Sequence, residues 1–317
     1  MNAKRIFTLF FLFSIILTAE TLLLCNLWTN KYFSGVLVNA PKKSAEEQKS
    51  ETLTSLPEKA PDREELETKI RFLIKEDTER LSIYLLRPTK ETEPLLFGSK
   101  PMRPASMIKL FVLAKAMQDV KDGKISLEDT VILRERDMVG GAGTLVEYEE
   151  GTKVPISKLM ELMITKSDNT ATNILIDHVG GMNSINAYIK GQGYEDTILQ
   201  HKMMLYNRGR SNRSSAKDIG VLLTKIYHRE CVGEPYDELM INFLMRQEDR
   251  ECFPKVLPSW HIAHKTGEVS GIYDDGGIFY GKDGDFILVI LTEKYRGRGI
   301  AIELMQNIAE CVAKTIS

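Results

Sequence analysis

Three short runs in this 317-residue chain combine residue types that can do nucleophilic chemistry. Ser106-Met107-Ile108-Lys109 follows Pro104 at the expected start of a helix. A spacing of three puts the hydroxyl and the amine on one helix face, within reach of each other. A serine is a poor nucleophile until a base takes its proton, and a buried lysine of lowered pKa can be that base. The positive end of the helix dipole favours the negative charge that develops. Ser167-Asp168-Asn169 falls between two predicted helices. Ser167 can pass protons between Lys109 and a leaving group, and Asn169 can hold both a substrate amide and the lysine. All three residue types are also favoured helix N-caps, so this run alone reads as a cap. Lys265-Thr266-Gly267 closes a predicted strand. Lys265 and Thr266 can bind a substrate carboxylate. Gly267, with no Cβ, lets a substrate lie against the strand edge.

These runs need elements to carry them. Asp62 serves as an N-cap with Glu65 three residues on, and Leu66, Ile70, Phe72, Leu73 and Ile74 give a helix its apolar face. Leu81–Leu86 and Pro94–Phe97 read as strands. Ala105–Val120 reads as a long helix ending near Gly123. Ile156–Thr165, Thr170–Val179 (closed by Gly180-Gly181), Ser215–Tyr227 and Glu238–Arg246 read as further helices. The period then switches. Trp260–Thr266, Gly277–Tyr280 and Phe286–Thr292 read as strands, and Ile300–Ile316 as a closing amphipathic helix. Strands at both ends and helices between them predict an α+β fold. Its antiparallel sheet is flanked by the terminal helices on one face and by an all-helical subdomain, about residues 105–255, on the other. The active site is expected in the cleft between the two parts.

Hydrophobic residues make up 43% and charged residues 27% of the chain, with a net charge of -2 at pH 7. That balance gives no basic stripe for nucleic acid. Lys4 and Arg5 precede an apolar run from Ile6 to Ala19, which Glu20 interrupts before apolar residues resume to Trp28. Residues 1–28 therefore read as a membrane anchor or a signal segment, with everything after them exported to the outer face of the cytoplasmic membrane, secreted or periplasmic. Membrane contact is expected through that segment only. Residues 29–61, rich in Lys, Glu, Ser and Pro, read as a flexible linker. Of the four cysteines, Cys231 and Cys252 are a conceivable but unrequired disulfide, and none forms a CxxC pair.

The order SxxK, SDN, KTG, each on its expected element, resembles the signature of class A β-lactamases and penicillin-binding proteins. The resemblance runs from about residue 62 to 317. It includes Met160-Glu161-Leu162-Met163-Ile164-Thr165 before the second run and Asp275-Gly276-Gly277-Ile278-Phe279 after the third. A second SxxK match, Ser214 to Lys217, has no SDN or KTG at a suitable distance downstream and is set aside. The resemblance implies a β-lactamase/transpeptidase-like fold and a covalent acyl-enzyme, with Ser106 attacking a β-lactam or a peptidoglycan-stem carbonyl. It implies proton transfer by Lys109 and Ser167, substrate contacts from Asn169, Lys265, Thr266 and Gly267, and an oxyanion hole from the backbone N–H groups of Ser106 and Glu268. No cofactor and no metal are expected, and the protein is expected to be a monomer.

The chain departs from that family at one telling position. Class A enzymes carry on an Ω loop a glutamate that activates the deacylating water, with an asparagine four residues on. The segment Thr197–Asn207 runs parallel to that loop. The asparagine matches Asn207, but Met203 stands where the glutamate would be. A thioether takes no proton from water, so loss of a general base worth about 10²–10⁴-fold is expected in deacylation. Cyanobacterial penicillin-binding proteins of similar fold show the same loss. Glu195 and Asp196 come too early in the loop to replace it. The expected activity is a slow β-lactamase, with a peptidoglycan DD-peptidase or a non-enzymatic penicillin-binding sensor or scaffold as alternatives. Other candidates read as structure. His261 and His264 fall on opposite faces of a strand, and Gly140–Gly143 is a turn at the cleft rim. Asp274-Asp275 is a turn into the next strand, and Glu147, Glu149 and Glu150 form a solvated face.

Overall fold

Leu81–Leu86 and Phe286–Thr292 are continuous apolar runs because both faces of these strands are covered, and each is buried along its whole length. The computed structural model describes residues 63–75, 77–98, 100–205, 209–295 and 297–316. The expected segment 1–28, the linker 29–61, the Asp62 cap and Asn207 lie outside them. Helix α1 (Arg63–Ile74) leads into β1 (Leu81–Leu86) and β2 (Leu95–Phe97). A 3₁₀ turn, Ala105–Ile108, opens onto α2 (Lys109–Lys121), followed by the short strands β3 (Thr130–Ile132) and β4 (Lys153–Pro155). Helices α3 (Ile156–Thr165), α4 (Asn169–His178), α5 (Gly181–Gly191), α6 (Ala216–His228), α7 (Tyr236–Met245) and α8 (Phe253–Val256) fill the middle. Strands β5 (His261–Val269), β6 (Ile272–Tyr280) and β7 (Phe286–Thr292) and helix α9 (Arg298–Ile316) complete the order.

The main sheet has the order β2-β1-β7-β6-β5 and is antiparallel throughout. One face packs under α1 and α9 through Leu66, Ile70, Phe279, Phe286, Ile308 and Val312, all buried. Each such side chain contributes about 1.5–3 kcal/mol by leaving water. The other face lies against α6, where Gly220 fits the ring of Tyr84 so closely that a Cβ would sit 2.2 Å from it. The phenol of Tyr84 hydrogen-bonds Thr224 at 2.9 Å. This is the expected α+β arrangement: an antiparallel sheet, terminal helices on one side and helices from the middle of the chain on the other.

Several expectations need correction. Phe72 is 77% exposed, because it lies about 200° around α1 from the buried Ile70. The helix predicted from Ala105 begins as a 3₁₀ turn and becomes α-helical only at Lys109. The helix predicted to close at Gly180-Gly181 does end there, with Gly180 at φ +90, but Gly181 already starts α5 with no loop between. The β5–β6 turn falls at Ser270-Gly271, where Gly271 has φ +75. Lys265-Thr266-Gly267 is therefore inside β5 rather than at its end. Asp274 and Asp275 sit buried within β6, not in a turn. Cys231 and Cys252 are buried free thiols, so the conceivable disulfide is absent.

Candidate active site

Ser106 sits in the 3₁₀ turn at the head of α2, immediately after Ala105, which holds φ +40. A non-glycine residue there costs about 1–3 kcal/mol, a strain typical of functional sites. β5 runs beside this turn. A Cβ on Gly267 would lie 3.0 Å from the Pro104 carbonyl oxygen and 3.2 Å from the Ser106 nitrogen, so only glycine allows this approach undisturbed. Ser106 lines a cleft of about 590 Å³ with Ala105, Asn169, Met203, Met204 and Glu268. A continuation lined by Ser167, Thr266 and Glu268 reaches the same serine.

The predicted residues converge here. Lys109, fully buried, donates to the Ser167 carbonyl oxygen at 2.5 Å, to Ser167 Oγ at 3.2 Å and to Asn169 Oδ1 at 2.8 Å. Burial, reinforced by the nearby charge of Lys265 and opposed by Asp168, holds its pKa well below the usual lysine range. Lys265, also buried, donates to Ser167 Oγ at 3.0 Å and to the Thr266 carbonyl oxygen at 2.6 Å. Burial brings it down to about 8, with Asp275 and Asp249 pulling the other way. Ser167 Oγ thus lies between two lysine amines, and its backbone holds φ +54. Glu268 points its carboxylate at Arg298 on the exposed side, leaving its backbone beside the cleft.

Asp168, read from sequence only as a cap, does two jobs. It is the N-cap of α4, accepting from the Ala171 N–H at 2.8 Å. Its other oxygen accepts from the N–H groups of Thr144 and Leu145 at 2.7 and 2.8 Å. Asn169 adds bonds to the carbonyls of Ala142 and Gly140, from its backbone and its side-chain amide respectively. The glycine-rich rim is therefore pinned. Gly143, at φ +104, packs so tightly that a Cβ would overlap the Asp168 carboxyl. On the opposite wall the Asn173 side chain brackets Met203, accepting from its N–H at 2.8 Å and donating to its carbonyl at 3.0 Å. Met204, at φ +61, meets Gly141 across the cleft. The Asn173 bracket had no sequence signal beyond an amide in α4. The Asp168 clamp had one: a cap residue followed by a helix.

The set-aside candidates are structural. Ser214 is buried and hydrogen-bonded to Thr197 Oγ1 at 2.8 Å, while Lys217 is exposed. His261 is exposed and His264 buried, as the strand period requires. Glu147, Glu149 and Glu150 are exposed. Among the described residues no group of three His, Cys, Asp or Glu could hold a metal.

This architecture is the β-lactamase/transpeptidase-like fold. A beta-lactamase from Sphaerobacter thermophilus shares it with TM-score 0.72 and 22% identity, over 80% of this chain and 98% of that one. So does a leucine-to-glutamate mutant of PBP-A solved as an acyl-enzyme complex with penicillin G, with TM-score 0.74 and 24% identity over 80% and 96% of the two chains. The chain belongs to the Beta-lactamase enzyme family, whose profile matches residues 65–316. Among curated relatives, Beta-lactamase BRO-1 of Moraxella catarrhalis is 28% identical over 204 residues, covering 62% of this chain and 65% of that protein. The chain thus spans just under two thirds of that relative's length.

Proposed function

We propose that this protein is a serine hydrolase that forms an acyl-enzyme with β-lactams through Ser106 and hydrolyses them slowly. The observation that carries the reading is the buried Lys109 amine, depressed in pKa and held against Ser167 and Asn169 three residues from Ser106. In the proposed reaction Ser106 Oγ bonds to the carbonyl carbon and its proton passes to neutral Lys109. The backbone N–H groups of Ser106 and Glu268 take the oxyanion. As the C–N bond breaks, Lys109 returns the proton through Ser167 Oγ to the leaving nitrogen. Charged Lys265, with Thr266, holds the substrate carboxylate, and Gly267 leaves room along the strand. Asn169 orients the substrate amide, and Asn207 stays with this set as a substrate contact by its resemblance alone.

Deacylation is where the reading turns slow. Met203 lines the cleft with Ser106 and offers a thioether in place of a carboxylate. That same observation favours a second reading, a peptidoglycan DD-peptidase whose natural acceptor is not free water. A sensor or scaffold has no use for a buried amine poised beside a serine, which sets that reading last. The proposal keeps residues 62–317 as the catalytic domain, with 29–61 as linker. Residues 1–28 would act as anchor or signal of an exported monomer. Among the described residues no helix is long and apolar enough to cross a membrane.

Stopped-flow mixing of the full chain with a chromogenic β-lactam tests this directly. The expected trace is a burst of one acyl group per chain followed by slow turnover, with a matching mass increase, both missing from Ser106→Ala. No burst from the wild-type chain would sink the acyl-enzyme reading.

A further inference from the structure

Behind the strand that carries Lys265 lies a polar pair that the proposed reaction does not use. β5 alternates. Lys265 and Gly267 face the Ser106 turn, while Ile262 and His264 face the layer under α9. Thr266 pairs across to Asp275 on β6, placing the carboxylate on the same face as His264. His264 and Asp275 are 1% and 0% exposed and share one hydrogen bond, Nδ1 to Oδ1 at 2.9 Å. His264 Nε2 is buried with no hydrogen-bond partner, and the Cys252 thiol lies against the Asp275 carboxylate. Ile262, Phe253, Phe279 and Met305 belong to the buried apolar layer on that face of the sheet, with Cys252 among them.

Such a pair is a poor stabiliser. Two buried polar groups that leave a ring nitrogen unsatisfied cost free energy, and hydrophobic residues of similar volume are often as stable or more so. Its position accounts for it better. Lys265 has no carboxylate in hydrogen-bonding contact, since its partners are a hydroxyl and a carbonyl. The Lys109 amine stands on the cleft side, and the partly buried Asp249 lies near the strand. Lys265 pairs with Gly276 on β6, so Asp275 is the next residue along that strand, and it is the carboxylate that most favours the charged lysine. We propose that the His264–Asp275 pair is a positioning element for Lys265: a carboxylate, oriented by the histidine ring, that sits behind the strand and supplies the counter-charge for the substrate-facing ammonium.

The inference rests on the reading of Lys265 as the substrate-carboxylate site, so its test has two readouts. The first needs no activity: titration of the Lys265 side chain by NMR in the isotope-labelled full chain, its signal identified by loss in Lys265→Arg. The wild-type midpoint is expected at about 8, and Asp275→Asn should move it down by about one unit or more. His264→Gln, which keeps the carboxylate and a donor, should leave it nearly unchanged. The second readout is acylation by a carboxylate-bearing β-lactam. In Asp275→Asn the alkaline limb should shift to lower pH, with about a fivefold loss near pH 8, approaching tenfold near pH 9, and little loss near pH 6. A merely structural role would depress the rate at every pH and leave the midpoint alone. Should Asp275→Asn not fold, the double variant His264→Gln with Asp275→Asn removes the charge while keeping a bond, and the same shift is expected. An unmoved Lys265 midpoint in the folded variant overturns the proposal. Absence of any acyl-enzyme in the wild type would instead strike the proposed function, and the titration would still decide the role of the pair.

Discussion

The two walls of the cleft are built on different plans. On one wall Asp168 and Asn169 spend nearly every polar atom. They cap α4, pin the rim from Gly140 to Leu145 and hold the Lys109 amine. On the other wall Asn173 fixes the backbone of Met203, and Met203 and Met204 bring thioethers to the cleft beside His201, Ser211 and Asn212. The first wall carries the groups that the proposed acylation of Ser106 would use. The second has the scaffold to place a group over that ester, but at Met203 and Met204 it presents thioethers, which take no proton. Positioning and proton transfer are separable requirements, and here the second wall meets only the first of them.

The sharpest way to break that comparison is Met203→Glu. The Asn173 bracket should hold the new carboxylate in place, and its burial should raise its pKa into a useful range for a base. Steady-state hydrolysis of the chromogenic β-lactam should rise by about 10²–10⁴-fold with the burst unchanged. No increase would mean that the wall lacks more than a base. The next largest effect belongs to the first wall. Asp168→Ala leaves three N–H groups of Ala171, Thr144 and Leu145 without their acceptor. It should cost about 2–4 kcal/mol in denaturant unfolding, with acylation lost as the rim loosens. A change below about 0.5 kcal/mol would show that water replaces the carboxylate freely.

The gentlest probe is pH. Lys265 has a depressed pKa of about 8 and must be charged to hold a carboxylate, so substrate capture should fail as pH rises through about 8. Lys109, depressed further, must be neutral to accept the Ser106 proton, so the rate should fail on the acid side of its own midpoint. Acylation should thus follow a bell, falling about tenfold per pH unit beyond either limb. For stability the sign is the same for both groups. The unfolded chain binds more protons than the folded one between the depressed pKa and the ordinary value near 10.5, so these lysines cost stability at neutral pH and the cost fades as pH rises. A rate that is flat from pH 6 to 9 would detach both lysines from the chemistry.

Much of this was legible in the sequence, for identifiable reasons. β1 and β7 read clearly because burial on both faces forces an unbroken apolar run. The three motifs read clearly because each joins a reactive residue type to an element boundary. What escaped depends on tertiary contact. Ala105, a good helix former, is held at φ +40 because β5 presses against the turn that follows it. Gly180 at φ +90 looks like a helix end and is one, but the chain restarts at Gly181 without a loop. β3 and β4, three residues each, are too short for a period. The His264–Asp275 pair joins two strands whose register no local pattern reveals, and the misplaced turn at Asp274 hid it further.

The strand order carries one more consequence. β7, the last of the described strands, lies at the centre of the sheet between β1, the first of them, and β6. During synthesis the helices between them can form from neighbouring contacts. The sheet must wait for its middle member, and pairing partners so distant along the chain makes closure slow. A polypeptide released before Phe286 would already contain Ser106, Lys109, Ser167 and Lys265, yet β1 and β6 would have nothing between them to hold one against the other. Until that strand arrives, the four side chains of the proposed site belong to a chain whose sheet is still open at its centre.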